Sequence, residues 1–397
     1  MSTGVSTGTV LSDTLTDINE KWVGIVLTLF YFLGIYLCYN GRERSAKSMK
    51  YLYILLVFIP VTIAGKFMGF SEPLLFVCSS LAIIPLAGVM GKSTDVIACF
   101  CGQKIGGLLN ATFGNATELI IAFVAMKEGM FDVVKASLAG SVIGNILLVL
   151  GMSMLVGGAK YKIQDFNKNS INITASMLLV AVLGLSIPAI FTHTMPESSL
   201  TTQFEGLSVI VAVLMLIIYA MQFVFSFVTH RALYEENIPI GEEEKPEMKL
   251  PVAIVLLIAS TVAIAFISEI FVGTVEPMAE SAGLSKTFVG IILVPIIGNA
   301  AEHSSAIIMA YKNKMNAAIE IALGSSLQII LFVVPVLTLL SLLFTPMSIV
   351  FTPFELVAVT ASVLIANRVA SDGESNWLEG LQLVTVYLMI GAAFFFV

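Results

Sequence analysis

Twelve apolar runs divide this chain, at about 22–39, 51–68, 73–90, 106–127, 131–157, 172–192, 206–229, 250–272, 287–311, 316–343, 352–368 and 377–396. Most come close to the ~20 residues with which an α-helix crosses the hydrocarbon of a bilayer. In that medium every backbone N–H and C=O needs a partner within the chain, so such runs form helices. A lipid-facing barrel would instead alternate polar and apolar residues, and nothing here alternates over that length. With 57% hydrophobic and 12% charged residues the composition lies far from that of a soluble domain. An all-α polytopic membrane protein of eleven or twelve spans is expected, with the lipid bilayer as its surroundings and no nucleic acid as partner. The net charge of −7 carries little meaning, because charge on a membrane chain informs only by its location.

Lysine and arginine concentrate in cytoplasmic loops. Arg42, Arg44, Lys47 and Lys50 follow the first run, and Lys92 and Lys104, Lys160, Lys162 and Lys168, Arg231, Lys312 and Lys314 fall on the same side when spans are counted onward. The opposite loops 193–205 and 343–351 contain neither residue. Both termini are then expected outside. The first twenty residues are polar and Ser/Thr-rich without a basic start, unlike a cleavable signal. Cys38, Cys78, Cys99 and Cys101 fit neither a zinc site nor a disulfide framework, and packing is the expected role.

Within these runs, Gly114-Asn115-Ala116-Thr117-Glu118 returns 184 residues later as Gly298-Asn299-Ala300-Ala301-Glu302. The same offset aligns Gly106 with Gly290, Ala122 with Ala306, and Gly140-Ser141 with Gly324-Ser325. Five crossings separate the copies, so they run in opposite directions, a plan common in secondary transporters whose sites lie where the halves meet. The chain divides into 1–68 (tail and additional membrane helices), 73–230 (first inverted repeat), 231–249 (acidic cytoplasmic linker) and 250–397 (second inverted repeat).

An intramembrane carboxylate costs roughly 2.5–3.5 kcal/mol on insertion scales, and this chain carries one in each copy of the motif. Gly-Asn loosens a helix by about 1 kcal/mol at the glycine and draws backbone hydrogen bonds to the amide. Breaks of this kind survive at membrane depth only beside a cavity or water. Carboxylate, amide and hydroxyl oxygens suit a hard cation such as Ca²⁺. The expected ligands are Glu118, Glu302, Asn115, Asn299, Ser141, Asn145, Ser325 and Gln328, with Ser141 and Ser325 equally suited to helix packing. Protons would compete for Glu118 and Glu302. His303 points elsewhere on its helix and suits a supporting hydrogen bond, a proton route or inert burial. Glu320 is a candidate pathway carboxylate. Glu269, Glu355 and Glu379 are expected to be exposed near span ends, and no aspartate is expected within a span. In the linker, Glu235, Glu236, Glu242, Glu243, Glu244 and Glu247 face one lysine, which suits either a solvated connection or a regulatory cation site.

These motifs, with Gly106-Gly107-Leu108-Leu109-Asn110-Ala111-Thr112-Phe113 leading into the first and Gly140-Ser141-Val142-Ile143-Gly144-Asn145 and Gly324-Ser325-Ser326-Leu327-Gln328 after each copy, resemble the Ca²⁺/H⁺ exchanger (cation/proton exchanger) family of the Ca²⁺/cation antiporter superfamily. The resemblance covers about 51–397. It implies ten core helices in two inverted halves plus one N-terminal helix, a cytosolic acidic connection, and motif glutamates that alternate between Ca²⁺ and protons. The run 22–39 precedes the first helix usual in that family. Where Na⁺-coupled relatives carry an extra acid, this chain has Gln328, which points to protons. The resulting expectation is a secondary active transporter, not an enzyme, needing no cofactor and placed in a prokaryotic plasma membrane sooner than a vacuolar one. The alternatives are exchange of Mn²⁺ or Na⁺ and, remotely, an intramembrane serine hydrolase built on His303, Ser304 and Ser305. Oligomeric state stays open.

Overall fold

The computed structural model describes residues 54–194, 200–230, 233, 248–369 and 371–396. The run 22–39, Cys38 and the acidic stretch 235–247 lie outside the described residues. The helices are α1 (Leu55–Met68), α2 (Glu72–Phe113), α3 (Ala116–Lys127), α4 (Phe131–Tyr161), α5 (Lys168–Thr194), α6 (Leu200–Val224), α7 (Leu250–Ser281), α8 (Lys286–Gly298), α9 (Ala300–Tyr311), α10 (Met315–Ser341), α11 (Pro353–Val369) and α12 (Trp377–Phe396). Among the described residues seven helices are long and apolar enough to span a membrane, or eight when the bent pair α8–α9 counts as one.

Hydropathy marks where a bilayer ends, not where a helix does. Residues 91–105, expected as a loop, stay helical within α2. A Cβ on Gly106 would lie 2.8 Å from the carbonyl oxygen of Ala98, although eight residues of straight helix would separate them by ~12 Å. The chain therefore doubles back between these residues, and Glu72–Cys101 forms a span by itself. Asp95 lies inside that span on an exposed position, so the expectation of aspartate-free spans does not hold. Likewise α7 runs to Ser281, nine residues past its expected end, until Gly283 at φ 63° turns the chain. Glu269 consequently sits well within α7, exposed. Nearer the end of α7, Glu276 pairs with Lys286 at 2.7 Å. Cys78 is buried as expected, whereas Cys99 and Cys101 are exposed on α2 and do not pack.

Glu355 departs furthest from expectation, being only 2% exposed. It closes a reciprocal cap at the start of α11, accepting from the Thr352 amide at 2.8 Å while its own amide donates to Thr352 Oγ1 at 3.3 Å. Asn376 and Glu379 form the matching cap on α12, with Glu379 half-buried. The two short strands, β1 (Ile163–Asp165) and β2 (Glu374–Asn376), pair antiparallel outside the spans. On that face, which carries Lys160, Lys162, Lys312 and Lys314, Gln164 donates to Ala310 O at 2.9 Å and Asn313 Oδ1 at 2.9 Å, stitching the halves together.

The long helices α2 and α7 pack along each other, with the rings of Phe76 and Phe271 stacked at 5.1 Å. Beside them α4 and α10 each contain a π-helical turn, Gly144–Val149 and Ile329–Val333, at positions the offset of 184 superimposes. Glycines set the closest approaches, as expected where helices meet in an apolar medium. Gly140 abuts the Ile291 backbone, and Gly151 and Gly380 bring α4 and α12 into backbone contact.

A side chain on Gly380 would run into Leu155 N and Gly151 O, both main-chain atoms. Gly380→Val should cost about 1–3 kcal/mol or more through overpacking. Thermal unfolding in detergent checks this, with Gly206→Ala as the comparison, since nothing lies within 4 Å of a Cβ there.

Candidate cation site at two helix breaks

Both copies of the motif interrupt a helix in the same way. Asn115 separates α2 from α3 at φ −99°, ψ 21°, and Asn299 separates α8 from α9 at φ −93°, ψ 7°. These are bridge-region angles. The second break bends the chain by 63°. Glu118 and Glu302 each fall in the first turn of the helix that follows, where unbonded N–H groups and the helix dipole favour an anion.

Each carboxylate reaches across to the other half. Glu302 Oε1 lies 3.4 Å from where a Cβ on Gly114 would stand, and Glu118 Oε1 lies 3.3 Å from the equivalent point on Gly298. Larger residues at these glycines would crowd the oxygens. Glu118 Oε2, Glu302 Oε2 and Asn299 Oδ1 are buried without a hydrogen-bond partner. Three such oxygens at one place are costly unless something positive meets them. Among the described residues no three of His, Cys, Asp and Glu cluster, so further donors to a cation here must be amides and hydroxyls.

Those groups form a continuous chain across the halves. His303 Nε2 meets Asn145 Oδ1 at 3.1 Å, Asn145 Nδ2 donates to Ser325 Oγ at 3.0 Å, Ser325 Oγ donates to Asn115 Oδ1 at 2.7 Å, and Asn115 Nδ2 donates to Gln328 Oε1 at 2.5 Å. Asn299 Nδ2 donates to Ser141 Oγ at 3.0 Å. Asn115–Ser325 and Asn299–Ser141 are equivalent under the offset of 184. The remainder is one-sided, because Leu119 stands opposite His303 and Ile329 opposite Asn145. All nine residues singled out from the sequence thus converge, and His303 belongs to the network despite its different helical phase. Ser304 and Ser305 donate to the carbonyls of Ala300 and Ala301 one turn back, and His303 Nε2 meets Asn145, so these bonds join neither serine to His303. Lys135, which the sequence reading passed over, donates to Val350 O at 3.0 Å. Its signal was a lysine inside an apolar run.

The two sides of the site differ in access. Asn110, Ser305 and Glu320 are exposed, whereas their repeat counterparts Val294, Ile121 and Ala136 are buried. Gly324 has nothing within 4 Å of a Cβ position, while its counterpart Gly140 abuts Ile291. In every one of these pairs the more open member lies toward the lysine-rich face. The site opens to that face and is sealed from the other.

Residues 71–228 and 252–396 match the family described as sodium/calcium exchanger protein, and the chain belongs to that family. It is 46% identical over 362 residues to the Ca²⁺/H⁺ antiporter of Aphanothece halophytica, covering 86% of this chain and 95% of the relative. It is 44% identical over 353 residues to the Ca²⁺/H⁺ antiporter ChaA of Bacillus subtilis, covering 87% and 99%. The solved structure of native YfkE is similar at a TM-score of 0.76 and 40% identity, covering 87% of this chain and 100% of that one.

Ser325→Ala removes the middle of the hydrogen-bond chain and leaves Asn115 Oδ1 and Asn145 Nδ2 without it. A loss of about 1–3 kcal/mol is expected for each buried group left unpaired. Thermal unfolding in detergent measures it against Ser326→Ala, whose hydroxyl donates only to Ala322 O in its own helix, and which should unfold nearer the parent.

Proposed function

From membership of the sodium/calcium exchanger protein family and the crossed carboxylates, we propose that this chain is a multi-pass plasma-membrane antiporter that exchanges cytosolic Ca²⁺ for protons. The observation that carries the reading is the set of unpartnered oxygens on Glu118, Glu302 and Asn299 at two opposed helix breaks. In the functional cycle, Ca²⁺ enters from the lysine-rich face, which the positive-inside rule assigns to the cytosol. It binds between Glu118 and Glu302, whose two charges neutralise it, and Asn299 Oδ1 supplies a further oxygen. Asn115, Gln328, Ser141 and Ser325 complete the coordination by exchanging hydrogen bonds for the ion. His303 and Asn145 hold these amides in direction.

Protons compete for the same carboxylate oxygens. A doubly protonated pair is neutral, so the empty site crosses between its two openings without an uncompensated charge. Mutually exclusive occupancy makes the exchange obligatory. The helix breaks, the close contact at Gly140 and the open space at Gly324 let one seam close as the other opens. Two carboxylates with amide partners match one divalent ion or two protons, whereas several Na⁺ ions would need more oxygens than this set provides. Mn²⁺ also takes oxygen ligands, and competition for Ca²⁺ uptake measures the preference.

Glu118→Gln and Glu302→Gln each keep the side-chain shape and one oxygen but delete a charge and a titratable proton. Either change should reduce pH-gradient-driven ⁴⁵Ca²⁺ uptake into proteoliposomes to background while the protein still folds. Glu379→Gln, in a half-buried cap distant in sequence from both motifs, should retain most uptake. Near-normal transport by a folded Glu118→Gln protein would exclude this mechanism.

The acidic linker carries a second part of the proposal, resting on its charge alone. Neutralising Glu242, Glu243, Glu244 and Glu247 together should shift the Ca²⁺ dependence or the maximal rate while exchange persists. Uptake identical to the parent at every Ca²⁺ concentration would reduce the segment to a solvated connection.

A further inference from the structure

Among the differences between the two mouths of the site is one residue, Glu320, whose placement the exchange reaction itself does not demand. Glu320, Gly324 and Gln328 follow one another at four-residue steps on α10, so they form one stripe along the helix. Glu320 is exposed and the other two half-exposed, while their neighbours Ile319, Ala322, Leu323 and Leu327 are each 1% exposed. The stripe is thus an open slot from the lysine-rich face to Gln328, which accepts from Asn115 beside the motif glutamates. About 12 Å of helix separates its ends.

On the sealed side the equivalent slot is filled. A Cβ on Gly290 would stand 2.8 Å from the Ala136 Cβ, and Gly140 meets the Ile291 backbone. The offset of 184 pairs Ala136 with Glu320. One mouth therefore carries a carboxylate where the other carries a methyl group, with the lysine Lys135 next to that methyl. The Glu320 carboxylate accepts from Ser170 Oγ at 3.1 Å and Asn316 Nδ2 at 3.2 Å. Lys312 and Lys314, on the adjoining turn, are the opposing charges of this mouth.

We infer that Glu320 is the capture residue of the inner mouth: it draws a divalent cation from the lysine-rich side and passes it along the Gly324 slot to the crossed glutamates. Its absence from the outer mouth favours release there. The arrangement makes apparent affinity differ between the two faces even though the central site is nearly two-fold symmetric. The inference rests on the proposed Ca²⁺/H⁺ exchange.

The test measures ⁴⁵Ca²⁺ transport at each face, in everted and in right-side-out membrane vesicles. At low ionic strength Glu320→Gln should raise the KM for Ca²⁺ at the inner face about three- to tenfold, as expected for losing one carboxylate ~4–12 Å from a divalent ion in a watery slot. The maximal rate should stay within about twofold and the outer-face KM should not change. Salt near 1 M, where the Debye length falls to ~3 Å, should shrink the difference. Glu320→Asp should restore the parent KM, and Asn316→Ala, which loosens the carboxylate but keeps its charge, should stay near it. An unchanged inner KM, an equal change at both faces, or an Asn316→Ala protein that matches Glu320→Gln would overturn the assignment. Absence of pH-driven Ca²⁺ transport by the parent would instead overturn the exchange reading on which it rests.

Discussion

Two carboxylates held in an apolar interior govern the rest of this molecule. A lone ionised carboxylate there would be strongly disfavoured, and the surroundings of Glu118 and Glu302 are arranged around that cost. Each stands in the first turn of a helix, where free N–H groups face it, and each lies over the glycine of the opposite motif. The breaks at Asn115 and Asn299 make those helix starts possible at the middle of the protein. What remains uncompensated is one oxygen on each glutamate and one on Asn299, the atoms that the proposed exchange assigns to a cation or to protons.

The amides and hydroxyls around the pair form a directed network, in contrast to a loose ring of ligands. Asn145 spends its oxygen on His303 and its nitrogen on Ser325, and Ser325 in turn donates to Asn115. Every one of these links joins residues of opposite halves. Relative movement of the halves must therefore exchange these bonds, and in the proposed exchange the same groups take part in ion binding. His303 anchors one end of the chain through Asn145, with Leu119 in the equivalent place of the first half. The departure from symmetry lies in the network more than in the charged pair.

Small residues give the halves their freedom. Gly140 against Ile291 and Gly290 against Ala136 seal one side through near-backbone contact, while Gly324 faces open space on the other. Contacts this close contain no side chains to disentangle, so a seam can part and another can form with little rearrangement. The reciprocal caps at Thr352–Glu355 and Asn376–Glu379 keep the flanking helix starts fixed.

The sequence by itself determined the helical membrane character, the duplicated motif and all nine residues that meet at the site. It could do so because apolar length and a charge within an apolar run are local signals. It misplaced features whose cause is not local. Residues 91–105 read as a loop because they are less apolar, yet they are helical, and the chain reverses between Ala98 and Gly106 within that helical stretch. Glu355 read as interfacial from its place near a span end, although the Thr-x-x-Glu spacing was the sign of its cap. For His303, which points away from Glu302 along its own helix, the sequence offered a supporting hydrogen bond among its roles, and the partner, Asn145 at 158 residues' distance, is visible only in the tertiary structure. The side on which the site opens was decided by tertiary structure alone. Both motifs have the same local pattern, and which seam is closed depends on how the two halves are rotated against each other.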